Sequence, residues 1–186
     1  MNSSIIYGNL MSPEDREGYN NFHHYAENGI DIEDRVKLSQ WKHQPKADLY
    51  KKHKDVYDNP KYYDQVTGRI NWPDDYGFLE GTKETRVVKK GTIFKRIGEP
   101  TGQYLGNLED SFDKRSLAPH SEGAKEYYYV LLKDYEMTAG KAAPWFDKPG
   151  GGEQFIVFDN DGNLFTIEWL EEEGILEDIT ELFMRK

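Results

Sequence analysis

The stretch KEYYYVLLKDYEMTAG, residues 125–140, decides the class of fold. Its aromatic and aliphatic residues are a strong β-strand signal. Neighbouring stretches have the same texture. RVVKKGTIFKRIG (86–98) reads as strand, turn, strand, and EQFIVF (153–158) as another strand. DNDGN (159–163) is a turn of the kind that joins a hairpin. NLFTIEWLEEEG (163–174) passes from strand into a short helix stopped by Gly174. ILEDITEL (175–182) reads as a last strand or a mixed end. No βαβ rhythm and no internal repeat is visible. The expected class is therefore α+β, a mostly-β domain and not a doubly wound nucleotide-binding sheet.

Upstream the texture changes. Residues 1–56 are polar and short of β-branched runs. SPEDREGYNNFHHYAENG (12–29) carries a helix start, with Ser12 as cap, Pro13 in the first turn and acids next; Asn28-Gly29 ends it. DIEDRVKLSQWKHQP (31–45) reads as a second helix with Ile32, Val36 and Leu38 inward, and KADLYKKHKDVYDNP (46–60) as a third helix or a loop. The expected organisation is a helical accessory or linking region over 1–56 and the main domain over 57–186.

Composition narrows the function. The chain has 186 residues, 37% hydrophobic and 14% aromatic, enough to bury a core without metal or disulfide staples. A net charge of −10 repels phosphate backbones, which disfavours nucleic acid as a partner. There is no cysteine, so thiol catalysis, zinc ribbons and disulfide scaffolds are excluded. The first twenty residues lack a basic start followed by an apolar run, and no long apolar run exists elsewhere. Neither a cleavable signal nor membrane insertion by this segment is expected.

Candidate chemistry begins at PGGGEQF, residues 149–155. Three consecutive glycines cost backbone entropy and match no phosphate-loop motif. They read either as a flexible loop or as a place where backbone approaches a ligand. Gln154 sits where this loop becomes strand. Alternation puts Gln154, Ile156 and Phe158 on one face and Glu153, Phe155 and Val157 on the other. Both faces are largely apolar, so Gln154 reads as a buried amide that needs partners, a clamp on the glycine backbone or a ligand reader. Arg96 ends a β-like run and Tyr104 follows across a Gly/Pro turn; Arg115 is a second anion anchor. A solvated charge at Arg96 and pairing of Arg115 with Asp110 or Asp113 are the plainer readings. His120 reads as a surface residue in a loop. His23, His24 and Glu27 lack the second histidine at helical spacing that a metal site wants, and DNDGN departs from a calcium loop at Leu164 and Leu170.

Five blocks, in order, carry a resemblance: YDQVTGRINWPDDYGFLEGT (63–82), GTIFKRIGEPTGQYLG (91–106), DKRSLAP (113–119), TAGKAAPWFDKPGGGEQF (138–155) and LEEEGILEDI (170–179). They resemble the tuberculosis necrotizing toxin family over about residues 57–180. Residues 1–56 have no counterpart in it. The resemblance implies a domain that hydrolyses NAD to nicotinamide and ADP-ribose. Its fold would be distantly ADP-ribosyltransferase-like, with a cleft. NAD would be the substrate, with NADP as a further candidate; no cofactor and no metal would be needed. A cognate immunity protein would be its partner. The module would be secreted as part of a larger toxin and act in the target-cell cytosol.

The resemblance also implies a site. Arg96 and Tyr104 match the arginine and tyrosine of the RIGEPTGQY block, Arg115 the arginine of KRSLAP, and Gln154 the glutamine after the glycines. Tyr127 falls where the mycobacterial member has a functional histidine, so an imidazole is missing at that position. Trp145 and Phe146 would wall the nicotinamide side with Tyr104. Gly150, Gly151 and Gly152 would let backbone approach the substrate. Two rivals stand beside this reading. One is a protein ADP-ribosyltransferase, whose tempting acid is Glu153. The other is a catalytically dead binding domain of the same fold.

Overall fold

A computed structural model describes residues 12–185. The reading of the N-terminus as free of an export signal rests on residues that include 1–11, which lie outside the described residues. The chain divides into two units, with the boundary between Asn71 and Trp72.

In the first unit, α1 (Pro13–Glu27) starts at Ser12, whose Oγ accepts from Asp15 N at 3.1 Å. The hydroxyl thereby satisfies one of the amides that a helix start leaves unpaired. Helices α2 (Ile32–Ser39), α3 (Ala47–Lys52) and α4 (Lys54–Tyr57) follow. The core here is aromatic: Trp41 stacks on Tyr63 at 6.0 Å, and Tyr57 meets Tyr63 at 4.8 Å. Leu38 is buried, but Ile32 and Val36 are 59% and 48% exposed, against the sequence expectation. The reason is electrostatic. α2 turns Asp34 and Lys37 inward, where Lys54 bonds Asp34 at 2.8 Å and Lys37 pairs with Asp58. A helix of two turns cannot present both stripes.

In the second unit, the described residues form a seven-stranded antiparallel sheet. The strands are β1 (Glu84–Val88), β2 (Ile93–Ile97), β3 (Leu105–Asn107), β4 (Glu126–Leu131), β5 (Tyr135–Lys141), β6 (Glu153–Ile156) and β7 (Leu176–Asp178). Their order is β1-β5-β6-β3-β2-β4-β7. Residues 125–140 therefore supply two strands, not one. β1 and β2, consecutive in sequence, are not neighbours; β1 pairs with β5. The turn at DNDGN closes on a single bridge, Phe158 to Leu164, and the chain then enters α5 (Ile167–Glu172). A last helix, α6 (Thr180–Met184), follows β7.

Period-two alternation divides the sheet into two faces. Phe94, Leu105, Tyr129, Met137, Ala139 and Phe155 bury one face under Ile167 and Leu170 of α5. The opposite face carries a row across four strands: Lys95 pairs with Gly106, Gly106 with Gln154, and Gln154 with Gly140. Residues paired across an antiparallel ladder share a face. Gln154 thus stands between two glycines on its neighbouring strands.

Candidate active site

Those two glycines explain what lies over the sheet. A Cβ at Gly106 would overlap the Arg115 side chain, and one at Gly140 would lie 2.8 Å from Phe78 Cδ1. Arg115 and Phe78 therefore fill troughs on either side of Gln154. A cleft of about 640 Å³ opens here, within the range of small-molecule sites. Gln154 (β6), Arg96 (β2), Tyr104 ahead of β3, Arg115 in the long loop after β3, and Phe146 after β5 all line it.

Arg115 is 7% exposed. Its Nη1 reaches the Lys95 carbonyl at 3.4 Å, and it forms no ion pair among the described residues. Pairing with Asp110 or Asp113 is not found: Asp110 Oδ2 accepts from Glu153 N at 2.7 Å, and Asp113 pairs with Lys148. Burial, then the neighbouring Arg96 charge, lowers the Arg115 pKa from the ordinary arginine value to about 10, against a smaller opposing pull from Asp110. Arg96 leaves the core side of β2 and curls over the following loop. Its Nε donates to Glu99 O at 2.7 Å and its Nη1 to Tyr104 O at 2.8 Å, and burial lowers its pKa. Two adjacent guanidiniums held by carbonyls and not by carboxylates are an anion site in waiting. Beside them, the buried Ser116 Oγ finds no hydrogen-bond partner among the described residues.

Gln154 is 8% exposed, and its Nε2 donates to Tyr76 O at 3.0 Å. Its amide lies against Gly77 and not against the glycine triplet. Glu153, one residue earlier, faces the other way, paired with Arg86 and accepting from Asn107 Nδ2 at 3.3 Å.

Tyr127, Trp145, Gly150, Gly151 and Gly152 are not among the lining residues. Tyr127 follows Tyr129 onto the core side of the sheet, stacking on it at 6.4 Å, and its hydroxyl donates to Glu99 Oε2 at 3.2 Å. Its link to the site is through the loop that holds Arg96. The glycine triplet makes room for the chain itself. A Cβ on Gly150 would lie 2.5 Å from Ala142 O, and one on Gly152 would lie 2.9 Å from both Asp110 Oδ2 and Lys114 O. Gly151 N and Gly152 N donate to Ala142 O and Lys114 O at 2.8 and 2.9 Å.

The cleft also holds residues that sequence reasoning did not select: Trp72, Tyr76, Gly77, Ser116 and His120. His120 stands at the rim, and crowding of its ring by protein lowers its pKa. The available signal was the aromatic, Gly and Pro density of NWPDDYGF (71–78). Among the described residues, five other than glycine have positive φ: Asp75, Tyr76, Ser116, Phe146 and Asp147. Tyr76, Ser116 and Phe146 line the cleft, and strain of this kind concentrates at functional sites. No group of three or more His, Asp or Glu able to hold a metal is found among the described residues, and no described helix is long and apolar enough to cross a membrane.

The family model described as Tuberculosis necrotizing toxin matches residues 87–179. The conidial surface nicotinamide adenine dinucleotide glycohydrolase of Aspergillus fumigatus is 30% identical over 105 residues, covering 50% of this chain and 45% of that protein. The outer membrane channel protein CpnT of Mycobacterium tuberculosis is 26% identical over 121 residues, covering 57% of this chain and 14% of that protein. The structure of tuberculosis necrotizing toxin with its immunity factor matches at a TM-score of 0.53 and 24% identity, over 60% of this chain and 63% of that one. The chain thus spans less than half the length of either curated relative.

Proposed function

This chain belongs to the tuberculosis necrotizing toxin family, and from that membership we propose that its cleft hydrolyses NAD to nicotinamide and ADP-ribose. One observation carries the reading: the buried Arg115, the half-buried Arg96, neither in an ion pair among the described residues, and a clamped carboxamide line the same cleft. The arginines grip the diphosphate. Tyr104 and Phe146 shape the space beside it. Gln154 steadies the ribose as the base departs. The glycosidic nitrogen of NAD is cationic, so when its bond to the ribose breaks the electron pair stays on it and nicotinamide leaves neutral; no general acid is needed, unlike in ordinary glycosidases. Positioning, a polar surround for the ribosyl cation and entry of water remain to be supplied.

The position of Glu153 favours hydrolysis over transfer to a protein. Its carboxylate is engaged by Arg86 on the face away from Gln154, where it cannot activate an acceptor in the cleft. In a larger polypeptide the module would be secreted and act in the target-cell cytosol, held in check in the producer by an immunity protein like that bound to the structural relative. The test is to incubate the purified chain with NAD and resolve the products. Equal nicotinamide and ADP-ribose support the hydrolase. Labelled protein in a lysate supports a transferase, and unconsumed NAD a binding domain.

Gly106 offers a specific check. In Gly106→Ala the new methyl must displace the Arg115 side chain. The expected result is a rise in the KM for NAD of about tenfold or more, equivalent to about 1.4 kcal/mol, with a smaller change in kcat. An unchanged KM would show that Arg115 takes no part in holding the substrate.

A further inference from the structure

The cleft has a second wall that the arginines and Gln154 do not account for. It is the turn at residues 72–77, which lies ahead of the span matched by the family model. Trp72 is 60% exposed and Tyr76 45% exposed, although both rings line the cleft. Exposed aromatics of this size on a concave wall are the usual surface for a flat ligand ring.

The backbone is held in a costly shape to present them. Asp75, Tyr76 and Gly77 have φ of 49°, 56° and 80° in succession. A tyrosine is disfavoured in this left-handed region, where glycine and asparagine are tolerated. The turn is pinned on several sides. Gln154 Nε2 donates to Tyr76 O at 3.0 Å, Ala143 N donates to Gly77 O at 2.8 Å, and Lys83 pairs with Asp75. Phe146 meets the Trp72 ring edge-on at 5.8 Å, and Phe158 meets Tyr76 edge-on at 5.1 Å. Edge contacts of this kind orient the two rings.

Charge sorts which ring belongs there. The arginines Arg96 and Arg115 make their side of the cleft hostile to a second cation. The turn side presents no cation: Trp72, Pro73, Tyr76 and Gly77 line it, while Asp74 and Asp75 lie outside the lining and Asp75 pairs with Lys83. A pyridinium cation gains from an aromatic face beyond what a neutral adenine ring gains there.

We infer that Trp72 and Tyr76 form the binding wall for the nicotinamide ring, with Gln154 bracing the turn that carries them. The inference rests on the NAD-hydrolase reading and assigns one half of the substrate to one wall. It also has a consequence for release. Once the glycosidic bond breaks, the electron pair returns to the ring nitrogen, the positive charge is gone, and the attraction to the wall weakens.

The experiment uses the full chain and two non-consumed probes, 1-methylnicotinamide, which keeps the pyridinium charge, and ADP-ribose. Millimolar 1-methylnicotinamide quenches tryptophan emission in the parent protein, and Trp72→Phe loses that change. ADP-ribose, which lacks the pyridine ring, leaves the Trp72 signal in place. In steady-state assays Trp72→Ala and Tyr76→Asn each raise the KM for NAD about tenfold, with kcat within about threefold. Asparagine fits a positive φ, so Tyr76→Asn keeps the parent melting temperature or exceeds it, which separates lost binding from lost folding. A 1-methylnicotinamide signal unaffected by Trp72→Phe, an ADP-ribose signal that depends on Trp72, or an absent 1-methylnicotinamide signal overturns the assignment. The titration needs no turnover. A parent protein that leaves NAD intact therefore sinks the hydrolase reading, while the ring assignment is decided separately by the probes.

Discussion

Replacing Arg115 with methionine yields a protein at least as stable as the parent and about a hundredfold weaker in kcat/KM for NAD. The two halves of this result have one cause. Arg115 is 7% exposed, touches a single carbonyl at 3.4 Å and lies near a second guanidinium. Burying a charge without a counter-ion opposes folding. Burial and Arg96 lower its pKa from the ordinary arginine value to about 10, which corresponds to roughly 3 kcal/mol against the folded state at neutral pH. The sign follows from the base: below about pH 10 it is charged in both states and the penalty is complete. The penalty fades as pH rises through the folded-state value toward the ordinary one. Methionine is unbranched and can follow the same trough over Gly106 without the charge. At about 2–4 °C per kcal/mol for a chain of this size, the gain is readable by calorimetry. The loss in catalysis is the loss of a charge-assisted contact to the diphosphate, for which about a hundredfold is typical. ADP-ribose should raise the melting temperature of the parent, since the anion supplies the missing partner, and should do so less for Arg115→Met. A methionine variant that melts several degrees lower and keeps its activity would show that Arg115 is a structural residue.

How far residues could be read before coordinates depends on whether the signal was local. The strands were legible because Tyr127–Leu131 and Glu153–Ile156 carry aromatic and branched side chains in short runs, a local preference. Their pairing was not. Nothing near Val88 indicates that β1 crosses to β5 while β2 pairs with β3 and β4. Ile32 and Val36 looked inward because apolar spacing was weighed alone; the partners of Asp34 and Lys37 lie twenty residues on, in Lys54 and Asp58. At the site, Gln154, Arg96, Arg115, Tyr104 and Phe146 converge on one cleft. Tyr127 does not line it, because its alternation with Tyr129 commits it to the core side. At the glycine triplet the sequence shows that a backbone must come close but not which one; in the structure it is the protein's own, at Ala142 and Lys114. Trp72 and Tyr76 reach the cleft through φ and cleft geometry, neither of which a residue string displays.

Gln154 is the residue whose loss should cost most. Gln154→Ala removes the donor to Tyr76 O and the amide that faces the cleft between Gly106 and Gly140. Losing a preorganised polar group of this kind typically lowers kcat by about a hundred- to a thousandfold. The fold should survive, since one neutral hydrogen bond is worth about 1 kcal/mol and a few degrees of melting temperature. Gln154→Glu separates two roles that alanine confounds. If the side-chain oxygen alone stabilises the ribosyl cation, a carboxylate should serve as well or better. If the amide N–H must hold the turn at Tyr76, a carboxylate fails, because it has no proton to donate and opposes the carbonyl oxygen. The geometry favours the second outcome: Nε2 has a definite partner, and the strained turn depends on it. Glutamate should therefore be as poor as alanine at pH 8. Burial raises the pKa of a carboxyl in this position, so acidification toward pH 5 restores a proton that can point at Tyr76 O. Activity of Gln154→Glu should rise with falling pH relative to the parent, while Gln154→Ala shows no such recovery. A glutamate variant fully active at pH 8 would instead place the catalytic role on the oxygen and free the turn from its supposed dependence on residue 154.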